Sequence, residues 1–188
     1  MRLELVYETH STSVDNDRGN TTGWLPGELS EILPRAGPGP RASADGTTAP
    51  PWSTRPISAA RSRRLRSRSP ARASRFVTRL RECDYGDLND APVETVTAVR
   101  CRHIDEPFPA GESYRQVVER TRSFLAEVVA RHHGARILVI AHSANRWALD
   151  HLVNGVPLEE LVDAPFAWQE GWLYVVSANA SSSASDIA

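Results

Sequence analysis

The sequence predicts an α/β fold with a mainly parallel sheet, on three observations. A strand-like apolar run at residues 3–7 opens the chain. Later, apolar residues at helical spacing lead into a second strand-like run, residues 137–140. A further helical pattern follows at once, over residues 145–153. Helices that alternate with strands are typical of parallel pairing, because a parallel connection must carry the chain back to its starting edge.

The elements follow in order along the chain. After the first strand come a polar loop through Asn16 and Asn20 and a turn at residues 23–27. Ser113 and Gln116 form a capping box, which predicts that a helix begins there. Its apolar positions are Tyr114, Val117, Val118, Leu125, Val128 and Val129. The second helix is expected to end near Asn154 and Gly155, and residues 172–176 predict a last strand.

Composition favours one domain. The chain has 188 residues, 40% of them hydrophobic, and a formal net charge of -1. We expect residues 1–178 to form the domain and residues 179–188, rich in Ser and Ala, to be a disordered tail. The acid at Glu4 argues against a signal peptide or spanning helix, so we expect a cytoplasmic protein without a membrane partner. Cys83 and Cys101 are expected to be free thiols.

Residues 32–75 fit neither a helical nor a strand pattern. This segment is dominated by Pro, Gly, Ala, Ser and Arg, and it has no acidic residue after Asp45. A structureless loop of this length is uncommon inside a compact domain, so we expect it to be disordered or misformed. The chain also contains no lysine, which indicates a coding sequence rich in G and C.

Two histidines each follow a strand-like run and are the leading candidates for a site. His10 comes after the first strand, and His142 comes after residues 137–140. The carboxyl ends of parallel strands face one crevice, so both imidazoles are expected to meet there. Convergent histidines indicate phosphoryl or metal chemistry.

The residues around these histidines resemble the histidine phosphatase superfamily, its phosphoglycerate mutase-like group. The resemblance covers residues 5–12, Asn16, and residues 23–24, 29–31, 80–88, 111–113 and 140–143. It implies a three-layer α/β/α sandwich with a mainly parallel sheet. It also implies a phosphatase that acts on a small phosphorylated metabolite through a phosphohistidine, with no cofactor.

The resemblance assigns a role to each candidate. His10 would be the nucleophile, since a neutral imidazole can attack phosphorus near neutral pH. His142 would donate a hydrogen bond to the charge that develops on the phosphoryl oxygens. Glu82 would protonate the leaving oxygen and later serve as base for water. The substrate-binding residues implied are Asn16, Ser11, Ser143 and Arg146.

The chain departs from the family pattern in two places. Thr9 stands where the family has an arginine that holds the phosphoryl group. The family's motif Ser-Asp-Leu-x-Arg-Ala-x-x-Thr-Ala, which carries a second such arginine, is missing. Yet synonymous codons for residues 57–70, read in a shifted frame, permit Asp-Leu-Gly-Arg-Ala-Val-Glu-Thr-Ala. We therefore hypothesise two compensating frameshifts, near Glu31 and Phe76, and expect weak or no activity. The nucleotide sequence of codons 30 to 78 decides this.

Several alternatives stay open. Glu82 could instead be a surface carboxylate paired with Arg79 or Arg81, an arrangement worth little energy. Glu112 is expected to be structural, because a carboxylate suits the start of a helix. The remaining histidines, at positions 103, 132, 133 and 151, do not form an evident ligand set, so no metal is expected.

Two other functions are weighed against the phosphatase. Residues 61–75 form an arginine-serine segment that could bind nucleic acid through its phosphates. The segment has no interleaved aromatic residues, so we favour the enzyme. A mutase is the other alternative, but the chain has no obvious insertion that would shield a phosphorylated intermediate from water. The sequence does not specify the oligomeric state.

Overall fold

The computed structural model of the protein describes residues 2–10, 13–26, 75–132, 134–165, 167 and 169–177. Within these ranges a sheet has three strands. The first, β1 (Arg2–Thr9), lies between β2 (Arg136–Ala141) and β3 (Trp172–Ser177). The three strand-like runs expected from the sequence are confirmed, each with one to three additional residues. The predicted aberrant segment, apart from Arg75, and the predicted tail lie outside the described residues.

The sheet is mixed in the part of the chain that the structure describes. β1 pairs in parallel with β2, with Thr9 opposite Ala141. β1 pairs antiparallel with β3, with Leu5 opposite Tyr174. The expectation of a mainly parallel sheet is therefore not confirmed. The sequence pattern does not predict the direction of a strand, because an alternating apolar run is the same in a parallel and in an antiparallel strand.

The two long helices are those that the sequence predicted. They are α3 (Tyr114–Arg131) and α4 (Ser143–Asn154), preceded by α1 (Val14–Asp17) and α2 (Val93–Val99) and followed by α5 (Leu158–Asp163). The capping box of α3 is confirmed. The Ser113 hydroxyl accepts from the Gln116 N–H at 3.3 Å, and the Gln116 side-chain oxygen accepts from the Ser113 N–H at 2.7 Å. α4 ends where Gly155 adopts a left-handed φ of 69°.

The short helices were not predicted. α2 begins after Pro92 and α5 after Pro157, a residue that favours helix starts. Three 3-10 helices, Thr78–Leu80, Gly86–Leu88 and Arg100–His103, lie in the connection before α3. The apolar runs in these short helices span too few residues to show a helical period. Their formation therefore depends on tertiary packing.

Helices cover one face of the sheet in the described ranges. Side chains alternate along a strand, so Leu3, Leu5 and Tyr7 project together and pack with Leu125 of α3 and Leu149 of α4. The buried cluster at the sheet draws its strand residues from this face alone. Ile140 and Val175 project from the second face and are 57% and 40% exposed. Val6 also projects from this second face, but it is buried. The three-layer arrangement is accordingly not confirmed.

Two smaller observations complete the fold. Cys83 is buried and Cys101 is exposed, and both are free thiols. Among the described helices, none combines the length and the hydrophobicity needed to cross a membrane.

Truncating an aliphatic side chain on each face of the sheet tests this one-sided burial. Leu5 is fully buried, so Leu5→Ala is expected to lower the free energy of unfolding by about 3 kcal/mol. Ile140→Ala is expected to lower it by less than about 1 kcal/mol, because most of that side chain already contacts solvent. Denaturant unfolding measures both, and an equal loss would mean that a further layer covers Ile140.

Candidate active site

The two histidines meet at one edge of the sheet. His10 directly follows β1 and His142 directly follows β2, and the two strands are parallel. The N–H of His10 donates to the carbonyl of Ala141 at 3.0 Å, which continues the strand pairing past the end of β1. The two imidazole centroids are 4.6 Å apart with an interplanar angle of 60°. The expected meeting of the two rings is confirmed.

His142 stands at the junction of β2 and α4, where it is the N-cap residue. Its carbonyl accepts hydrogen bonds from the N–H groups of Asn145 and Arg146 at 3.1 and 3.2 Å, and from the hydroxyl of Tyr7. Burial, helped by the nearby His10 and Arg120, lowers the pKa of the imidazole to about 4. His142 is therefore neutral near pH 7, and one of its ring nitrogens carries a hydrogen that it can donate.

Glu82 projects toward the histidines from the loop between two of the 3-10 helices. Its Oε2 lies 4.0 Å from Nδ1 of His142, and its side chain is 15% exposed. Its Oε1 accepts from the N–H of Cys83 at 2.8 Å. Burial raises the pKa of the carboxyl to about 7, against the lowering effect of hydrogen bonds from the Cys83 and Ala144 backbone and of the Arg120 charge. A carboxyl of this pKa can release a proton near neutrality.

The two arginines suggested as surface partners of Glu82 are engaged elsewhere. Arg79 pairs with Glu127 and donates to the Ser123 hydroxyl at 3.0 Å. Arg81 lies over the ring of Trp24, with its guanidinium carbon 5.4 Å from the ring centroid. Neither of these described arginines forms an ion pair with Glu82, so the structure does not support the alternative of a surface ion pair.

Arg120 of α3 holds the loop that carries Glu82. Its guanidinium donates to the carbonyls of Arg79, Arg81 and Glu82 at 2.6, 2.8 and 3.0 Å. It also binds the Glu112 carboxylate through two nitrogens, at 2.6 and 3.2 Å. Glu112 is structural in this position, as expected. No sequence motif pointed to Arg120, because most of its partners are backbone carbonyls, which a motif does not reveal.

The other predicted site residues differ in placement. Asn16 and Ser143 line a cavity together with His10, Glu82 and His142. The Asn16 side-chain oxygen also accepts from the Ser13 N–H at 3.2 Å. Ser11 lies outside the described residues.

Arg146 is not brought into this cavity. Its guanidinium lies over the ring of Trp172, 5.1 Å from the centroid, and its charge acts on buried Asp150. Trp147, one residue later, does line the cavity. Successive helical residues point about 100° apart, so α4 turns Arg146 toward the sheet while Trp147 faces the opening.

The cavity is large, and four aromatic side chains contribute to its wall away from the histidines. Its volume is about 700 Å³. Sequence reasoning missed most of its wall, which includes Trp24, Tyr85, Arg100, Tyr114 and Trp147. Trp24 also donates its indole N–H to the Glu82 carbonyl at 2.8 Å. These residues come from five separate segments, so no local pattern groups them.

Within the described ranges, no three His, Cys, Asp or Glu side chains are grouped so that they could hold a metal ion. The sequence prediction of no metal stays a prediction.

Comparison with known proteins agrees with this geometry. The sequence model of the histidine phosphatase superfamily (branch 1) matches residues 61–181, more than half of the chain. The chain therefore belongs to the histidine phosphatase superfamily. The strand of His10 lies before the matched range. No curated protein sequence matches the chain.

Several solved structures share the fold. A mycobacterial hydrolase is 20% identical, with a TM-score of 0.60 over 86% of this chain and 85% of that one. YhfR of Bacillus stearothermophilus is 16% identical, with a TM-score of 0.59 over 93% and 91%. Mycobacterial glucosyl-3-phosphoglycerate phosphatase with VO3 is 20% identical, with a TM-score of 0.57 over 87% of each chain. At these identities, the likeness shows the fold alone.

Removing Arg120 tests how far the loop of Glu82 depends on it. Arg120→Met leaves the Glu112 carboxylate, 14% exposed, without its cation, so we expect unfolding to need about 3 kcal/mol less. Arg122→Met on the same helix is the matched control. It breaks a surface ion pair with Glu119 and is expected to cost less than about 1 kcal/mol. Denaturant unfolding measures the free energy of unfolding of both variants. Equal losses of stability in the two would contradict the role of Arg120.

Proposed function

We propose that this protein hydrolyses phosphate monoesters of small metabolites through a phosphohistidine on His10. The observation that carries the proposal is the group at the edge of the sheet. Two imidazoles lie 4.6 Å apart, and a buried carboxyl lies 4.0 Å from the second of them, at the wall of one cavity. Membership of the histidine phosphatase superfamily supports this chemistry.

The reaction proceeds in two displacements. A ring nitrogen of His10 forms a bond to phosphorus while the bond from phosphorus to the ester oxygen breaks, and Glu82 gives its proton to that oxygen. Water then attacks the phosphohistidine, and the Glu82 carboxylate takes a proton from it. The phosphorus–nitrogen bond breaks, its electron pair returns to the ring, and phosphate leaves. The pKa of Glu82, about 7, suits both tasks.

Neutral donors surround the phosphoryl group in this proposal. His142 donates a ring N–H, because its pKa of about 4 keeps the ring uncharged. Asn16 and Ser143 line the same cavity and add polar groups, and Ser11 follows the nucleophile in sequence. Arg146 is left out, since it lies against Trp172. With Thr9 before the nucleophile instead of an arginine, we expect slow turnover.

Replacing the nucleophile tests the proposal directly. His10→Ala is expected to abolish hydrolysis of p-nitrophenyl phosphate, because no group remains to accept the phosphoryl group. His132→Ala is the control, since that histidine is exposed and does not line the cavity. Release of p-nitrophenol measures both. Wild-type turnover no faster than that of His10→Ala would contradict the proposal, and phosphate transferred to a second alcohol rather than to water would indicate a mutase.

The pH profile tests the role of Glu82. A carboxyl with a pKa of about 7 is protonated below that pH and loses its proton above it. We therefore expect kcat/KM for an alkyl phosphate to fall as the pH rises through about 7. Glu82→Gln is expected to lose this limb and to lower kcat/KM by about 10²- to 10⁴-fold.

A leaving-group comparison separates acid catalysis from a structural effect. p-Nitrophenolate departs without a proton, so Glu82→Gln is expected to lower kcat/KM, which reports the first displacement, much less for p-nitrophenyl phosphate than for an alkyl phosphate. Equal losses for the two esters would argue against Glu82 as the acid.

A further inference from the structure

Arg100 holds a positive charge at the cavity wall without an acidic partner in the described part of the chain. The residue lies at the start of the 3-10 helix Arg100–His103 and lines the same cavity as the histidines. Its Nη2 donates to the carbonyls of Asp163 and Ala164 at 3.2 and 3.4 Å. Carbonyl oxygens fix the position of a guanidinium, but they carry no net charge to neutralise it.

The surroundings of Arg100 support a role in binding. Its guanidinium carbon lies 5.7 Å from the ring centroid of Trp147, which covers one side of the group. Its Nε is buried and has no hydrogen-bond partner among the described residues. Asp163 binds Arg100 through its backbone carbonyl, while its side chain accepts from the Cys101 thiol at 3.7 Å, and no ion pair between the two side chains is found in the described part of the chain.

The position of Arg100 relative to the histidines follows from α4. His142 caps that helix, and Trp147 lies five residues later, which is about 7 Å farther along the helix axis. Arg100 packs on Trp147, so its charge lies beside that residue on the cavity wall. The cavity, about 700 Å³, falls in the range that accommodates a whole small-molecule ligand rather than a phosphoryl group alone.

We propose that Arg100 binds a second anionic group of the substrate. The substrate class is then a phosphate monoester that carries another acidic group at its far end, with an apolar or aromatic middle against Trp147 and Tyr114. This inference rests on the proposed function. Arg81 also lines the cavity, but it lies beside Glu82 and is exposed. Among the residues that the structure describes, protein carbonyls bind the guanidinium of Arg100 but not that of Arg81.

A matched pair of synthetic esters tests the inference. 4-Carboxyphenyl phosphate and 4-carbamoylphenyl phosphate have nearly the same shape, and only the first carries a second negative charge. The ratio of their kcat/KM values is compared in the wild type, Arg100→Met, Arg100→Lys and Arg102→Met. The control, Arg102, is exposed and does not line the cavity. Differences in leaving group cancel, because each variant is judged by the change in this ratio.

Loss of the charge should remove the preference for the acid. We expect the ratio to fall roughly tenfold in Arg100→Met, as for one charge-assisted hydrogen bond, and to change little in Arg102→Met. Arg100→Lys, which keeps the charge, should retain part of the preference. A ratio unchanged within twofold in Arg100→Met would overturn the inference.

The design separates this inference from the proposed function. If hydrolysis of the carbamoyl ester requires His10, the phosphatase proposal holds regardless of the ratio of the two kcat/KM values. The same ratio is also measured as Kd by calorimetry in a His10→Ala background, where turnover plays no part. Equal Kd values for the two esters, or no binding of either, would overturn the role of Arg100. If Arg100→Met unfolds, the kcat/KM ratio of Arg100→Lys and the Kd ratio of the His10→Ala variant decide.

Discussion

The parallel pairing of β1 with β2 is the constraint on which the rest of the site depends. Its register places Thr9 opposite Ala141, so the next residue of each strand is a histidine at the same edge. The His10 N–H continues the pairing onto the Ala141 carbonyl, and the Tyr7 hydroxyl holds the His142 carbonyl. A shift of one residue in this register would turn one imidazole to the other face of the sheet. The meeting of the two rings is thus determined by backbone hydrogen bonds.

Burial then determines the protonation states at this edge. It raises the pKa of Glu82 to about 7 and lowers that of His142 to about 4, so near pH 7 the imidazole is neutral and about half of the carboxyl is protonated. The common cause is desolvation, which disfavours whichever form is charged. Arg120 limits the shift at Glu82, because its cation stabilises the carboxylate. The same arginine ties the Glu82 loop to α3, so structure and acidity are coupled through one side chain.

Within the described ranges, positive charge reaches the cavity through arginines other than Arg146. Thr9, which has no positive charge, precedes His10 in the sequence, and Arg146 turns toward Trp172. Among the described residues, the arginines of the cavity are Arg81 and Arg100, and each lies over a tryptophan. Neither belongs to the segment in which we hypothesise a shifted reading frame. In the proposed function, these two stacked guanidiniums are the arginine cations that the described part of the cavity offers to a substrate.

The sequence by itself determined the strands that end at His10 and His142, the capped helix after Ser113 and the helix that ends at Gly155. These are local signals, since apolar period, caps and glycine act over a few residues. Only the tertiary structure decided the antiparallel direction of β3, the turn of Arg146 away from the cavity, and the placing of Arg100 and Arg120. Those outcomes depend on contacts between residues far apart in the chain, where packing and backbone carbonyls leave no mark in the local sequence.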